Sequence, residues 1–258
     1  CNEEIKFGLF FEEALKRGFD FVATGHYARI ERDAMGTAHL LKGLDPQKDQ
    51  SYFLYRLSQS VLRRTLFPIG HLWKSDVRTK AAELHLPTAS KPDSQGICFV
   101  GKLDFHEFLR KKIKANLGEI VTPEGEVIGW HDGLDAHTIG QRQGLEVTKD
   151  GHPWFVAQKD RIHNRLIVVP DHDHPLLFAS HASVHDLHWT HSIDKKTFPL
   201  SIEVAIRYRQ TPEHAILHRE TGTIVTLTFQ KPVWALAPGQ SAVFYENNEC
   251  LGGGIIAD

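Results

Sequence analysis

The 258-residue chain has no apolar run approaching the roughly 18 to 20 residues that cross a bilayer, and its first residues, CNEEIKFG, have neither the basic start nor the apolar stretch of a secretion signal. A membrane role is not expected, and a cytoplasmic location is. Cysteine is scarce: the three copies, at positions 1, 98 and 250, make neither a disulfide framework nor the paired spacing of a zinc site. Positive charge is not in excess either. A net charge of −2 and a pI near 6.8 argue against a protein that coats nucleic acid by charge alone, so any such contact must be local. Repeats and low-complexity tracts are absent. Histidine is plentiful at 17 copies, yet these are scattered singly, with no i, i+4 pair backed by a carboxylate, and no tightly bound metal is expected. What is present, 41% hydrophobic residues, suffices for one large core or several small ones. The chain opens on Cys1 and runs straight into a helical pattern, which reads as an internal point of a longer protein.

Residues 3 to 17 carry Ile5, Leu9, Phe10 and Ala14 at helical spacing and stop at Gly18, which predicts a helix; the apolar run Phe19 to Thr24 then predicts a buried strand ending at Gly25. Helix followed by strand is the rhythm of a parallel α/β sheet, whose ligands sit at the carboxyl ends of strands. Further helices are predicted over 49 to 63 and over 75 to 86, the latter with Ser75 as N-cap and Pro87 as stop, and another from Asp104 to about Lys114. From Gly118 the texture turns to short strands: a hairpin around Glu124 and Gly125, two strands in WFVAQKDRIHNRLIVV, and from about Ala182 a series of alternating strands that predicts a small barrel. In SIEVAIRYRQ, alternation puts Ile202, Val204, Ile206 and Tyr208 on one face and Glu203, Arg207 and Arg209 on the other, a face that is either plainly solvated or able to hold phosphates.

An ordinary thiol, with a pKa of about 8.5, is only a few per cent thiolate at neutral pH, so a reactive cysteine needs help. Cys98 has Gly96 and Lys91 nearby in sequence, which favour the anion; it could equally begin a buried strand as an inert residue. Cys1 precedes a helix whose amides favour a thiolate, and Cys250 reads as a core residue. Asp49 lies where it could cap the following helix, and His26 could be hydrogen-bonded inside the fold.

The segments CNEEIKF, ATGHYAR, GLDPQKDQSYFLY, LFPIGHLWKSDVR, KPDSQGICFVG, HTIGQRQGL, RYRQ, PGQSAVFY and CLGGGII, in this order, resemble the tRNA 2-thiouridylase family of the MnmA type over essentially the whole chain. The resemblance implies an α/β plus β architecture: residues 1 to 102 as the remainder of a PP-loop ATP-pyrophosphatase domain with a parallel sheet, 103 to 170 as a central β-rich domain that binds tRNA, and 171 to 258 as a C-terminal β-barrel. It implies ATP-dependent adenylation of the wobble uridine 2-oxygen and sulfur transfer from a persulfide on Cys98, with Cys1 as the second, resolving cysteine. Gly25 would contact ATP, accompanied by Mg2+. His26, Lys48, Asp49, Gln50, Arg207, Tyr208 and Gln240 would contact tRNA. The implied partners are tRNAs for lysine, glutamate and glutamine and a sulfur-relay protein or cysteine desulfurase, with the enzyme monomeric. The family's SGGxDS loop and Asn-Pro-Asp stretch are not in this sequence, so the chain alone is expected to be inactive. Two other readings are a non-catalytic tRNA-binding fragment and a dithiol redox protein using Cys1 and Cys98.

Overall fold

The computed structural model describes residues 1–91, 116–147, 153–193, 198–219 and 224–257, in two compact units. Cys98 and the helix predicted over 104 to 114 lie outside the described residues.

The first unit comprises Cys1–Asp93, Ala182–Gln230 and Pro238–Asp258. Its opening helix begins as a π-helix, Asn2–Leu9, because the amides of both Ile5 and Lys6 donate to the Cys1 carbonyl, each at 3.1 Å; it continues as α1, Phe10–Lys16. The expected stop at Gly18 is a Schellman closure: Gly18, at φ +84°, donates to Leu15 O (3.0 Å) and Phe19 to Ala14 O (3.1 Å). The expected apolar face is corrected. Phe7 and Phe11 are buried, whereas Leu9 is 70% and Phe10 58% exposed. The wider π turn shifts the inward face away from the one a 3.6-residue period selects.

Strand β1, Val22–Ala23, is shorter than predicted and pairs in parallel with β4, Thr65–Leu66. Between them lies the hairpin of β2, Ala28–Arg32, and β3, Ala38–Lys42. Its turn is closed by Asp33, whose Oδ1 accepts from the amides of Met35 (2.9 Å) and Thr37 (2.8 Å).

The helix expected over 49 to 63 is instead a 3-10 turn, Ser51–Phe53, followed after an interval by the short α2, Gln59–Leu62. Ser51, Tyr52, Leu54, Tyr55, Leu57 and Leu62 are all buried, more than one stripe of a helix can turn inward. Burial all round the chain overrode the helical pattern. Helix α3, Lys74–Glu83, starts from Trp73 and not Ser75, because the carboxylate of Asp45 takes the Lys74 amide at 3.1 Å. It ends, as expected, ahead of Pro87, with His85 at φ +52°.

The barrel is closed by six strands in the order β13, β10, β11, β12, β9, β14 and back to β13. They are β9, Phe178–Trp189; β10, Leu200–Ala205; β11, Glu213–Arg219; β12, Val225–Trp234; β13, Ser241–Glu246; and β14, Glu249–Ile256. Strand β14 also pairs with β3 through Glu249 and Leu41. Its glycines are demanded by crowding: at Gly252, φ +145°, a Cβ would collide with the His188 carbonyl. One core runs from Phe7, Leu40, Leu54, Leu62 and Phe67 to Val243, Tyr245 and Cys250.

The second unit comprises Ser94–His181 and Lys231–Ala237. Its sheet, ordered β6-β5-β8-β7, contains the two predicted pairs: β5, Gly118–Val121, with β6, Val127–His131, around Gly125; and β7, Phe155–Asp160, with β8, Arg165–Val169. Strands β5 and β8 run parallel, and Ile120, Ile128, Val156, Leu166 and Val168 pack behind them.

Candidate functional site

Strand β10 stops at Ala205, and the alternation expected to continue to Arg209 stops with it. Ala205 and Ile206 are both buried, so the backbone bends and throws Arg207, Tyr208 and Arg209 into a turn, Arg209 at φ +65°. The predicted shared strand face of Glu203, Arg207 and Arg209 is thereby corrected. The turn instead makes one wall of a cleft of about 410 Å³, whose other wall includes Arg29, Lys42, Asp49 and Tyr52.

Arg29, Lys42, Arg207 and Arg209 line the cleft with Asp49, and although Arg29 lies 3.8 Å from Glu31 and Lys42 lies 3.7 Å from Glu203, these cations outnumber the carboxylates beside them, so the cleft is locally basic in a chain that is slightly acidic. Lys42 Nζ lies 4.5 Å above the Tyr245 ring, and the Arg209 guanidinium 5.1 Å from the Tyr208 centroid. Burial pushes the Arg207 guanidinium pKa down, with Tyr52 opposing, but arginine remains charged in proteins. Tyr52, Phe53 and Tyr208 form an aromatic group, with centroids 4.4 Å apart between Phe53 and Tyr208 and 6.3 Å between Tyr52 and Tyr208. Tyr52 is anchored by donating to Ser241 O at 2.9 Å.

Among the other residues singled out in the sequence, Asp49 lines the cleft and also organises its floor, accepting from Gly43 N (2.8 Å), Ser51 N (3.1 Å) and Ser51 Oγ (2.7 Å). Gln50 ties down Tyr27, its side-chain Oε1 accepting from Tyr27 N at 3.0 Å and its backbone N–H donating to Tyr27 O at 2.8 Å. Lys48 is half-buried beside them, and Gln240 is exposed on the turn before β13; neither lines this cleft. Arg29 and Lys42 were not singled out. They stand on the β2–β3 hairpin, and only its pairing with β14 carries them to the barrel loop.

Cys1 is exposed with a free thiol at the head of the π-helix, and Cys250 is fully buried in the core, where burial pushes its thiol pKa well up. Asn2 donates to Phe53 O at 3.1 Å, which ties the Cys1 end of the helix to the aromatic group. Lys6 approaches His26, Nζ to Nε2 at 3.5 Å, while His26 Nδ1 lies 2.7 Å from Thr24 Oγ1. With Nε2 facing an ammonium, the network assigns the ring proton to Nδ1, donating to Thr24. His26 is buried between Phe7 and Phe67, and burial first, then the Lys6 charge, lower its pKa to about 4. It is neutral at physiological pH. Gly25, just beyond β1, is exposed; a Cβ there would meet only Ile69 Cδ1, at 3.9 Å, so a ligand can approach its backbone.

For magnesium the described residues offer no evident shell. Among them the group of three able to hold an ion is His39, His191 and Glu249, a nitrogen-rich set unlike the oxygen shell magnesium takes.

Three family models match in series: the tRNA methyl transferase HUP domain over residues 1–102, the tRNA methyl transferase PRC-barrel domain over 106–170, and the aminomethyltransferase beta-barrel domain over 179–256. The tRNA-specific 2-thiouridylase MnmA of a Neisseria meningitidis serogroup C strain is 50% identical over 257 residues, which is 99% of this chain and 69% of that protein. Proteins of the same name from Chromobacterium violaceum and Methylobacillus flagellatus are each 48% identical, over 99% of this chain and 67% and 72% of their own lengths.

Proposed function

The chain belongs to the tRNA-specific 2-thiouridylase family, and from that membership we propose that it serves ATP-dependent sulfur transfer to the wobble uridine of tRNA. The observation that carries the reading is the cleft of Arg29, Lys42, Arg207 and Arg209 beside the rings of Tyr52 and Tyr208. A single-stranded RNA loop offers phosphates to cations and splayed bases to aromatic faces, and a cleft with both suits it without a basic surface elsewhere. The domain descriptions speak of methyl transfer; the exposed thiol of Cys1 at a helix head favours sulfur chemistry.

In this reading the uridine 2-oxygen attacks the α-phosphorus of ATP and pyrophosphate leaves, because oxide itself is too poor a leaving group. Cys98 carries sulfur as a persulfide. Cys1 attacks the persulfide at the Cys98 sulfur, leaving a Cys1–Cys98 disulfide, and the released sulfur replaces AMP at carbon 2; a reductant then restores both thiols. Gly25 lets the nucleotide approach the backbone, and magnesium accompanies the nucleotide. His26, Lys48, Asp49, Gln50, Arg207, Tyr208 and Gln240 serve tRNA, with Asp49 and Gln50 also holding the cleft wall in place. The partners are tRNAs for lysine, glutamate and glutamine and a sulfur-relay protein or cysteine desulfurase. The domains divide as 1 to 102, 103 to 170 and 171 to 258.

The test is photo-crosslinking of an anticodon stem-loop carrying a photoreactive loop nucleotide. Adducts on Tyr52 or on residues 207 to 209 are expected; adducts spread evenly over the surface would overturn the reading.

A further inference from the structure

Away from the cleft, three side chains from separate parts of the first unit converge. His39 stands on β3, His191 follows β9, and Glu249 opens β14. Glu249 Oε1 lies 2.6 Å from His39 Nδ1 and 2.9 Å from His191 Nε2, so one carboxylate oxygen is shared by two imidazoles whose ring centroids are 5.2 Å apart. The outward nitrogens also face acceptors: His39 Nε2 lies 3.5 Å from Asp33 Oδ2, and His191 Nδ1 lies 3.2 Å from the Ser192 carbonyl.

All four ring nitrogens thus face oxygens that can only accept, if the carboxylates are ionised. Satisfying every contact with protons requires both rings to be imidazolium, two like charges side by side. If each ring instead keeps its outward proton, two lone pairs and a carboxylate oxygen are left around one point, which is a ligand set for a cation. One divalent ion replaces two protons with no change in total charge. The outward contacts are also those that orient metal-binding histidines, one to a carboxylate and one to a backbone carbonyl.

We propose that His39, His191 and Glu249 bind a divalent transition-metal cation of the zinc class. The ligand atoms lie within 4.8 Å of one another, and the inward pairs, at 2.6 and 2.9 Å, need open by about 0.4 to 1.0 Å, since bonds of about 2.0 to 2.2 Å to a tetrahedral ion set ligand atoms roughly 3.3 to 3.6 Å apart. The three side chains are only partly exposed, at 27%, 18% and 23%, which leaves the fourth position to water. The bound ion would fasten the β2–β3 hairpin to the barrel.

The test uses the whole chain, stripped with chelator and titrated with cobalt(II), then with zinc(II) in competition. One equivalent of cobalt with tetrahedral visible bands and no thiolate charge-transfer band is expected, with affinity falling at least tenfold in both His191→Gln and Glu249→Gln and unchanged in His163→Gln. Binding that both substitutions leave untouched, or no binding, overturns the proposal. X-ray absorption of the wild-type zinc complex needs no variant: a nitrogen and oxygen shell with imidazole scattering supports the site, and sulfur in the shell, which would point to a cysteine, overturns it.

Discussion

The rings of Phe53 and Tyr208 meet with centroids 4.4 Å apart and planes tilted by 44°. This contact joins the 3-10 turn behind Cys1 to the barrel loop of the cleft, since Asn2 holds the Phe53 carbonyl from the helix side. Stacking of a base on an aromatic side chain is worth about 1 to 3 kcal/mol. Tyr208→Ala is therefore expected to weaken anticodon stem-loop binding by roughly 5- to 150-fold, and Tyr208→Phe by much less, as measured by fluorescence anisotropy.

Arg207 and Arg209 act on phosphates in this account, so their removal should weaken every sequence alike. For a single strand each neutralised phosphate contributes about 0.7 to the slope of log K against log salt. Arg209→Ala should lower that slope by about this amount, read from binding at a series of salt concentrations, while discrimination between loop sequences stays as it was.

Asp49 is a support as well as a cleft wall. Asp49→Ala strands the amides of Gly43 and Ser51, at a cost of about 2 to 4 kcal/mol. Urea unfolding should show this loss without RNA present; unchanged stability would mean that the two hydrogen bonds contribute nothing net.

The His26 pKa, lowered from 6.5 to about 4, makes stability depend on pH. Between these values the unfolded chain binds a proton that the folded chain refuses, so the contribution is fully present above 6.5 and drains away as pH falls toward 4, by roughly 2 to 4 kcal/mol. His26→Gln should flatten this part of the stability profile in urea melts between pH 7.5 and 4.5.

The β modules were legible because local signals set them. Gly125 and the polar run after Asp160 place turns, and alternation places the strands around them. The helix over 49 to 63 was misread because Tyr52, Tyr55 and Leu57 are buried by a barrel wall far away in sequence. The same distance hid Arg29 and Lys42, whose place in the cleft depends on a hairpin that nothing local ties to β14. His39 and His191 looked scattered for that reason too: only tertiary pairing brings them to one oxygen of Glu249.

The most direct measurement is sulfur loading of the chain from a cysteine desulfurase supplied with labelled cysteine. Label is expected on the wild-type chain and on Cys1→Ser, and none on Cys98→Ser. Loading of Cys98→Ser to the wild-type level would contradict the account.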